Sequence, residues 1–397
     1  MINFDFETYQ TLKNFKKYNK KINKIDTILN KGGNMLDWYD INKCIAKNDI
    51  DRIKKISQEI RNSCDLFIVI GIGGSYMGAK AVIEALSNYF TFQKPEIIFA
   101  GNSLSEEYID SLVAYMENKD TVINVVSKSG NTLETKFVFD LLYEQMQKKY
   151  SQDDLKKRII VTTNSKDGYL KKIAETNNFI TFEVPEQIGG RFSVLTCVGL
   201  FPIAVAGINI DDLLLGAKNF PKEEAFKYAI IRDILYKKKK YVEVFNIYEP
   251  KLKYFTEWIK QLFGETQGKN KKGILPNSSL NTQDLHSLGQ FYQEGNPIIF
   301  ETIIDFNNKN SLNFPYKYNL NDINRIILNK VAKAHFTVGC ESNIIICDKL
   351  DAYHIGMLIQ FFEVAAATGG YLLKVDPFNQ PGVNVYKKLV YQEIDFK

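Results

Sequence analysis

The stretch "LFIVIGIGGSYMGAKAVIEAL", residues 66–86, decides the fold. Its first five residues form an apolar run that stops at Gly71, Gly73 and Gly74. Ser75 follows, and then a segment with helical apolar spacing. A strand that runs through a glycine turn into a helix opens a βαβ unit. The same texture recurs downstream in "EIIFA" (96–100), "TVINVV" (121–126), "RIIVT" (158–162) and "FITFEV" (179–184), with helical stretches between several of them. Such alternation predicts an α/β fold whose mostly parallel sheet is covered on both faces. A second set, "YVEVFNI" (241–247), "IIFETIID" (298–305) and "NIIIC" (343–347), comes with helices expected around 253–264, 283–293 and 352–369. A second α/β unit is therefore expected to begin near residue 190. No Gly/Ser-rich linker separates the halves, so the interface between them is expected to be tight. Residues 1–61 are charged and amphipathic and read as helical arm segments.

A chain of 397 residues exceeds one ordinary core, so two domains are expected. The net charge of +5 is spread along the sequence. The one dense run, Lys237 to Lys240, reads as a solvated helix end rather than a nucleic-acid patch. Five scattered cysteines form no C-x-x-C pair, which fits a reduced, cytoplasmic protein without disulfides. The start of the chain has no apolar core of signal-peptide length. The most apolar run, residues 194–210, falls short of the ~20 residues a spanning helix needs and contains Pro202. It reads as a buried helix, and no membrane association is expected.

In open parallel sheets ligands bind beyond the carboxyl ends of the strands, where helix N-termini point. Two loops occupy such places. The first is the Gly71–Ser75 turn, where missing side chains let the backbone approach an anion or a sugar; a bare strand–helix turn is the other reading. The second is "VVSKSGNTLET", residues 125–135. Ser127, Ser129 and Thr132 can form a hydroxyl cradle for a phosphate without a cationic side chain, although one hydroxyl would suffice as a helix cap. No G-x-x-x-x-G-K-[ST] loop is present, which disfavours nucleotide hydrolysis. In "FTEWIKQLFGETQGKNKKGILP" (255–276) a helix is expected to end at Gly264, leaving Glu265 displayed in a glycine-flanked turn as a candidate general base. His286 lies in a helical pattern, where a lone histidine is more often structural than catalytic. Gln380 precedes a Pro-Gly turn, and Lys387 follows on a helix where a lysine is ordinarily solvated. His335 and His354 read as core or surface residues. No His/Cys/Asp group has metal-ligand spacing, so no metal is expected.

Taken in order, "GIGGSYMGA", "VVSKSGNTLET", "IGGRFSVLTCVGLFPIAVAG", "QLFGETQGK", "DLHSLGQFYQEG" and "PFNQPGVNVYKK" resemble the glucose-6-phosphate isomerase family, in its shorter bacterial type. The resemblance covers most of the chain from about residue 34. It implies two sugar-isomerase (SIS) α/β/α sandwich domains: a helical arm over 1–45, a first SIS domain over 46–190 with the phosphate loop, and a second over 191–397. It further implies reversible isomerisation of glucose 6-phosphate and fructose 6-phosphate, without cofactor, in a homodimer whose histidine enters the neighbouring subunit's site. Carried over residue by residue, the phosphate loop is Ser127, Lys128, Ser129 and Thr132, with Lys128 acting through its backbone. Gly74 and Ser75 would touch the sugar end. Glu265 is the base, His286 with Lys387 opens the ring, and Arg191 faces the enediolate. Gln261 and Gln380 complete the site. Asn131 and Thr266 stand where Thr and Ser are commoner, and Pro381 follows Gln380 as in the shorter type. Three other readings compete. One is an isomerase preferring mannose 6-phosphate or accepting both sugars. Another is a non-catalytic sugar-phosphate sensor, which would have no need of Glu265, His286, Lys387 and Arg191 together. The third is an NAD-dependent dehydrogenase, for which the dinucleotide signal is weak.

Overall fold

The computed structural model describes residues 2–5, 15–91, 94–307, 315 and 317–394. Among the described residues ten strands form two sheets. They are β1 (Ile2–Asp5), β2 (Leu66–Ile70), β3 (Glu96–Ala100), β4 (Thr121–Ser127), β5 (Ile159–Thr163), β6 (Ile180–Glu183), β7 (Val242–Ile247), β8 (Leu275–Leu280), β9 (Ile299–Phe306) and β10 (Ser342–Cys347). The first sheet has the order β3-β2-β4-β5-β6 and every pair is parallel. The second has the order β1-β10-β9-β7-β8 and is parallel except where β1 runs antiparallel to β10.

Every residue of β2, β4 and β5 is buried. Helices cover both faces of these strands, so they read as continuous apolar runs rather than alternating ones. All eight runs picked out in the sequence contain a strand. Two strands were not foreseen. β8, "LPNSSL", carries few apolar residues and lies at a sheet edge, where Pro276 is tolerated. β1 corrects the expectation of a purely helical arm: four residues near the start of the chain become a strand because β10 offers an open edge. Helices do follow it, at Asn19–Lys31 and Lys47–Ser63.

The two sheets share one core. Phe67 and Val69 of β2 and Phe245 and Ile247 of β7 belong to a single buried cluster, bridged by Ile203, Phe263 and Phe362. The apolar run at 194–210 is not one helix. Cys197–Val205 is wholly buried, Gly207 turns the chain at φ 79°, and Asn209 caps a second helix, Ile210–Lys218. Among the described residues one helix, Ala352–Leu372, is long and apolar enough to cross a membrane, and 89% of that window lies inside the fold. At the basic run, Lys237 to Lys239 are exposed as expected, but Lys240 is buried and sits 3.3 Å from Glu341. All five cysteines are free and buried.

Candidate active site

The first sheet starts at the inner strand β2 and then grows in both directions. In the first sheet the direction of winding reverses between β2 and β4, and a crevice opens there beyond the carboxyl ends of the strands. A cleft of about 830 Å³ occupies this place. Gly73–Ser75, the Lys128–Glu134 region, Arg191, Gln261, Glu265, Gln380 and Lys387 all contribute to its lining.

The loop after β2 forms a short 3-10 turn, Gly73–Ser75, before the helix Met77–Leu86. Gly74 has no room for a side chain: a Cβ would lie 2.1 Å from Gly190 O and 2.9 Å from Arg191 N. This close approach brings the glycine loop against the segment that carries Arg191.

The loop after β4 gathers its hydroxyls. Ser127 Oγ and Thr132 Oγ1 are 2.9 Å apart, and Ser129 Oγ lies 3.5 Å from Thr132 Oγ1. Thr132 is the N-cap residue of the helix Leu133–Lys149, yet its side chain makes no capping hydrogen bond. The first N–H groups of that helix therefore stay open toward the cleft. Gly130 takes φ 70°, which the turn requires. Asn131 Oδ1 accepts from Tyr169 N at 3.0 Å, tying the loop to the start of the helix Tyr169–Asn177. Lys128 turns its ammonium away: Nζ donates to Glu186 O (2.7 Å) and Ile188 O (2.8 Å), and burial pulls its pKa down. At this loop its backbone is what remains for a ligand.

Glu265 stands opposite. The helix that bears it does not stop at Gly264, as the sequence suggested, but runs from Lys253 to Gln267. Gly264 lies inside it at a cost of about 1 kcal/mol relative to alanine, and no close contact demands a glycine there, since a Cβ would meet only Pro276, at 3.8 Å. Glu265 is thus fixed by the last helical turn rather than displayed on a loop. Its Oε1 accepts from Gln261 Nε2 at 2.9 Å, one helical turn earlier. Its Oε2 accepts from Arg191 Nη1 at 3.2 Å and from Gln380 Nε2. Arg191 is buried, with Nε on Thr266 Oγ1 (2.9 Å) and Nη2 on Pro377 O. Burial pulls the guanidinium pKa down and Glu265 pushes it back up. Three donors from three segments hold one carboxylate, and such a group keeps a single orientation at the moment of reaction.

Lys387 lies on the helix Pro381–Glu393, which buries none of its residues and extends over the cleft. His286 is elsewhere. It sits near the start of the helix Leu285–Glu294, exposed, and it is not among the residues lining the cleft. The structure therefore brings every candidate residue to the cleft except this histidine and Ser127, which is buried behind Thr132 with the two hydroxyls in contact. The other two histidines are engaged: His335 Nδ1 lies 2.8 Å from Glu301 Oε2, and His354 Nδ1 lies 2.7 Å from Asp351 Oδ1. Among the described residues Glu301, His335 and Cys340 form one buried group of metal-ligand type, which sequence spacing did not reveal. Glu301 already accepts from Asn246 and Ser342 as well. The sequence reading noted Thr266 only as a departure from the commoner Ser beside the base, and it passed over the carbonyl of Pro377, which has no signature in sequence.

A model of the family described as Phosphoglucose isomerase matches residues 47–274. A protein of Fusobacterium nucleatum named glucose-6-phosphate isomerase is 42% identical over 98% of this chain and 93% of its own length. Among solved structures, a hypothetical protein from Thermus thermophilus superposes with a TM-score of 0.87 at 24% identity, covering 99% of both chains. A glucose-6-phosphate isomerase from Chlamydia trachomatis superposes with a TM-score of 0.75 at 21% identity, covering 87% of this chain and 72% of that one. The last two show likeness of fold.

Proposed function

This chain belongs to the phosphoglucose isomerase family, and on that premise we propose how it interconverts D-glucose 6-phosphate and D-fructose 6-phosphate. The reaction is an aldose–ketose isomerisation and a step of glycolysis. Run backward, it serves gluconeogenesis. One hydrogen moves between two carbons of one substrate, so no external electron acceptor takes part.

The phosphate enters the hydroxyl cradle of Ser127, Ser129 and Thr132, joined by the backbone at Lys128 and the open N–H groups of the following helix. It acts as a handle that orients carbons 1 and 2. Gly74 and Ser75 contact the sugar end. His286 and Lys387 shuttle a proton between the ring oxygen and the C1 hydroxyl, which opens the ring. Glu265 then takes the proton from C2, forming a cis-enediolate, and returns it to C1, while the proton of the C2 hydroxyl passes to the C1 oxygen. Gln261 and Gln380 aim the carboxylate oxygens, and the buried guanidinium of Arg191 faces the developing negative charge. A positioned base contributes about 10²–10⁴ in rate, and a donor aimed at an oxyanion about 10²–10³.

We read the active form as a homodimer in which each cleft receives His286 from the partner subunit. The support is the exposed place of His286 outside the cleft of its own chain, beside exposed Leu288 and Phe291. The five buried free thiols and the phosphorylated substrates fit the cytoplasm.

The observation that carries this reading is the Glu265 carboxylate, held by Gln261, Arg191 and Gln380 across from the hydroxyl cradle. The test supplies fructose 6-phosphate and couples the product to an NADP-dependent dehydrogenase. Wild type turns over, and Glu265→Gln loses roughly 10³-fold or more in kcat. A variant with near-full rate would remove Glu265 from the role of base. Binding without turnover by the wild type would make the chain a sensor.

A further inference from the structure

The turn after the base-bearing helix, residues 268–273, holds an element that the proposed chemistry leaves unused. Asn270 and Lys271 have φ of 53° and 58°, and Gly273 has φ 110°, so the chain reverses sharply. The reversal sends two lysines back toward the carboxyl end of the helix Ala352–Leu372. Lys272 Nζ donates to Leu373 O at 3.0 Å, and Lys269 Nζ donates to Asp376 O. The next carbonyl, Pro377 O, accepts from Arg191 Nη2. Two cations from separate segments thus hold consecutive carbonyls of the strap 373–380.

The strap carries two parts of the site. Gln380, at its end, donates to Glu265 Oε2. The helix Pro381–Glu393 then begins and lays Lys387 along the cleft. Within one subunit that helix buries none of its own residues, so its placement there leans on the strap that leads into it. Lys269 is half-buried and does not line the cleft.

We propose that Lys269 is a positioning residue of the isomerase: by holding Asp376 O next to the Arg191–Pro377 contact, it sets where Gln380 meets Glu265 and where the helix bearing Lys387 lies. The inference rests on the reading of Glu265 as the base. The groups that face Lys269 make the clamp sensitive to alkali. Burial and the Arg191 guanidinium pull its pKa down to about 8, while Asp376 and Glu265 push it up. Above that pH the ammonium loses its charge, and a charge-assisted hydrogen bond becomes an ordinary one.

The test measures kcat and KM for fructose 6-phosphate across alkaline pH in wild type, Lys269→Met, Lys269→Arg, Gln380→Ala and the Lys269→Met/Gln380→Ala pair. Exposed Lys271→Met, in the same turn, is the control and keeps the wild-type rate. Lys269→Met is expected to lower kcat by roughly 10- to 100-fold with KM within about 3-fold, as for a misplaced reacting group. Lys269→Arg recovers most of the rate and keeps it at pH values where wild type declines, since arginine stays charged. Lys269→Met and Gln380→Ala together cost clearly less than the sum of the two alone, because they share the Gln380–Glu265 contact. An unchanged kcat in Lys269→Met, full additivity with Gln380→Ala, or an alkaline limb that Lys269→Arg leaves in place would each overturn the proposal. Glu265→Gln separates the two readings. If it stays active, the base assignment fails. If it is inactive while Lys269→Met is normal, the inference about Lys269 fails alone.

Discussion

At the scale of single residues, the cleft depends on one absent side chain. Gly74 lies so close to Gly190 that a methyl group would overlap its carbonyl. Gly74→Ala must push the glycine loop away from Arg191. We expect a loss of about 1–3 kcal/mol in urea denaturation from overpacking, and a fall of roughly 10²-fold in kcat/KM from the displaced guanidinium. A variant with normal stability and normal rate would mean that the two loops part without consequence. The candidate residues around Glu265 were legible because several motifs stood in a known order, not because any one of them was decisive. Lys269 was overlooked although it lies within one of those motifs. Its partner is a backbone carbonyl 107 residues away, and a carbonyl has no signature in sequence.

At the scale of elements, two helices behave unlike their sequences. The helix Leu133–Lys149 begins with a threonine that ordinarily caps, but the hydroxyl is turned toward Ser127 and Ser129. Thr132→Ala is therefore expected to change stability by less than about 0.5 kcal/mol, where loss of a working cap costs ~1 kcal/mol, while raising KM for fructose 6-phosphate roughly 10-fold. Thermal melts and steady-state kinetics on one preparation check both halves. The helix Ala352–Leu372 buries Glu363 completely, and desolvation pushes its carboxyl pKa well above the ordinary value. A carboxyl raised in the folded state binds a proton that the unfolded chain has released. Its contribution is therefore fully present below the unfolded pKa and is lost as pH rises toward the folded one. Glu363→Gln should raise the urea midpoint more at pH 8 than at pH 5, and equal shifts at both would show that Glu363 does not titrate differently on folding. Element boundaries were the least legible feature. Gly264 looked like a helix end because glycine often follows one, but a glycine inside a helix costs only about 1 kcal/mol relative to alanine, and the helix runs on through it to Gln267.

At the scale of the whole molecule, the expected shared site makes a quantitative demand. Glu265→Gln and His286→Ala are each expected to be inactive alone. If subunits are exchanged and His286 acts across the interface, half of the dimers are mixed and one of their two sites is intact, so about a quarter of the wild-type rate returns. No recovery would place His286 in its own subunit's chemistry. The α/β class and eight strands could be read from the sequence because inner strands of parallel sheets are continuous apolar runs. β1 could not, since its strand state comes from β10, with Ile2 paired to Cys347. That pairing also bears on how the protein is made. The first sheet is drawn from one continuous part of the chain, 66–183, and can assemble while translation is still under way. The second cannot: its outermost strand leaves the ribosome before all the others and stays without a partner until β10 emerges. Over that interval the nascent chain carries an unpaired strand, and later an unpaired sheet edge, each a template for wrong pairing. Premature termination before residue 342 would leave that strand with no place to dock.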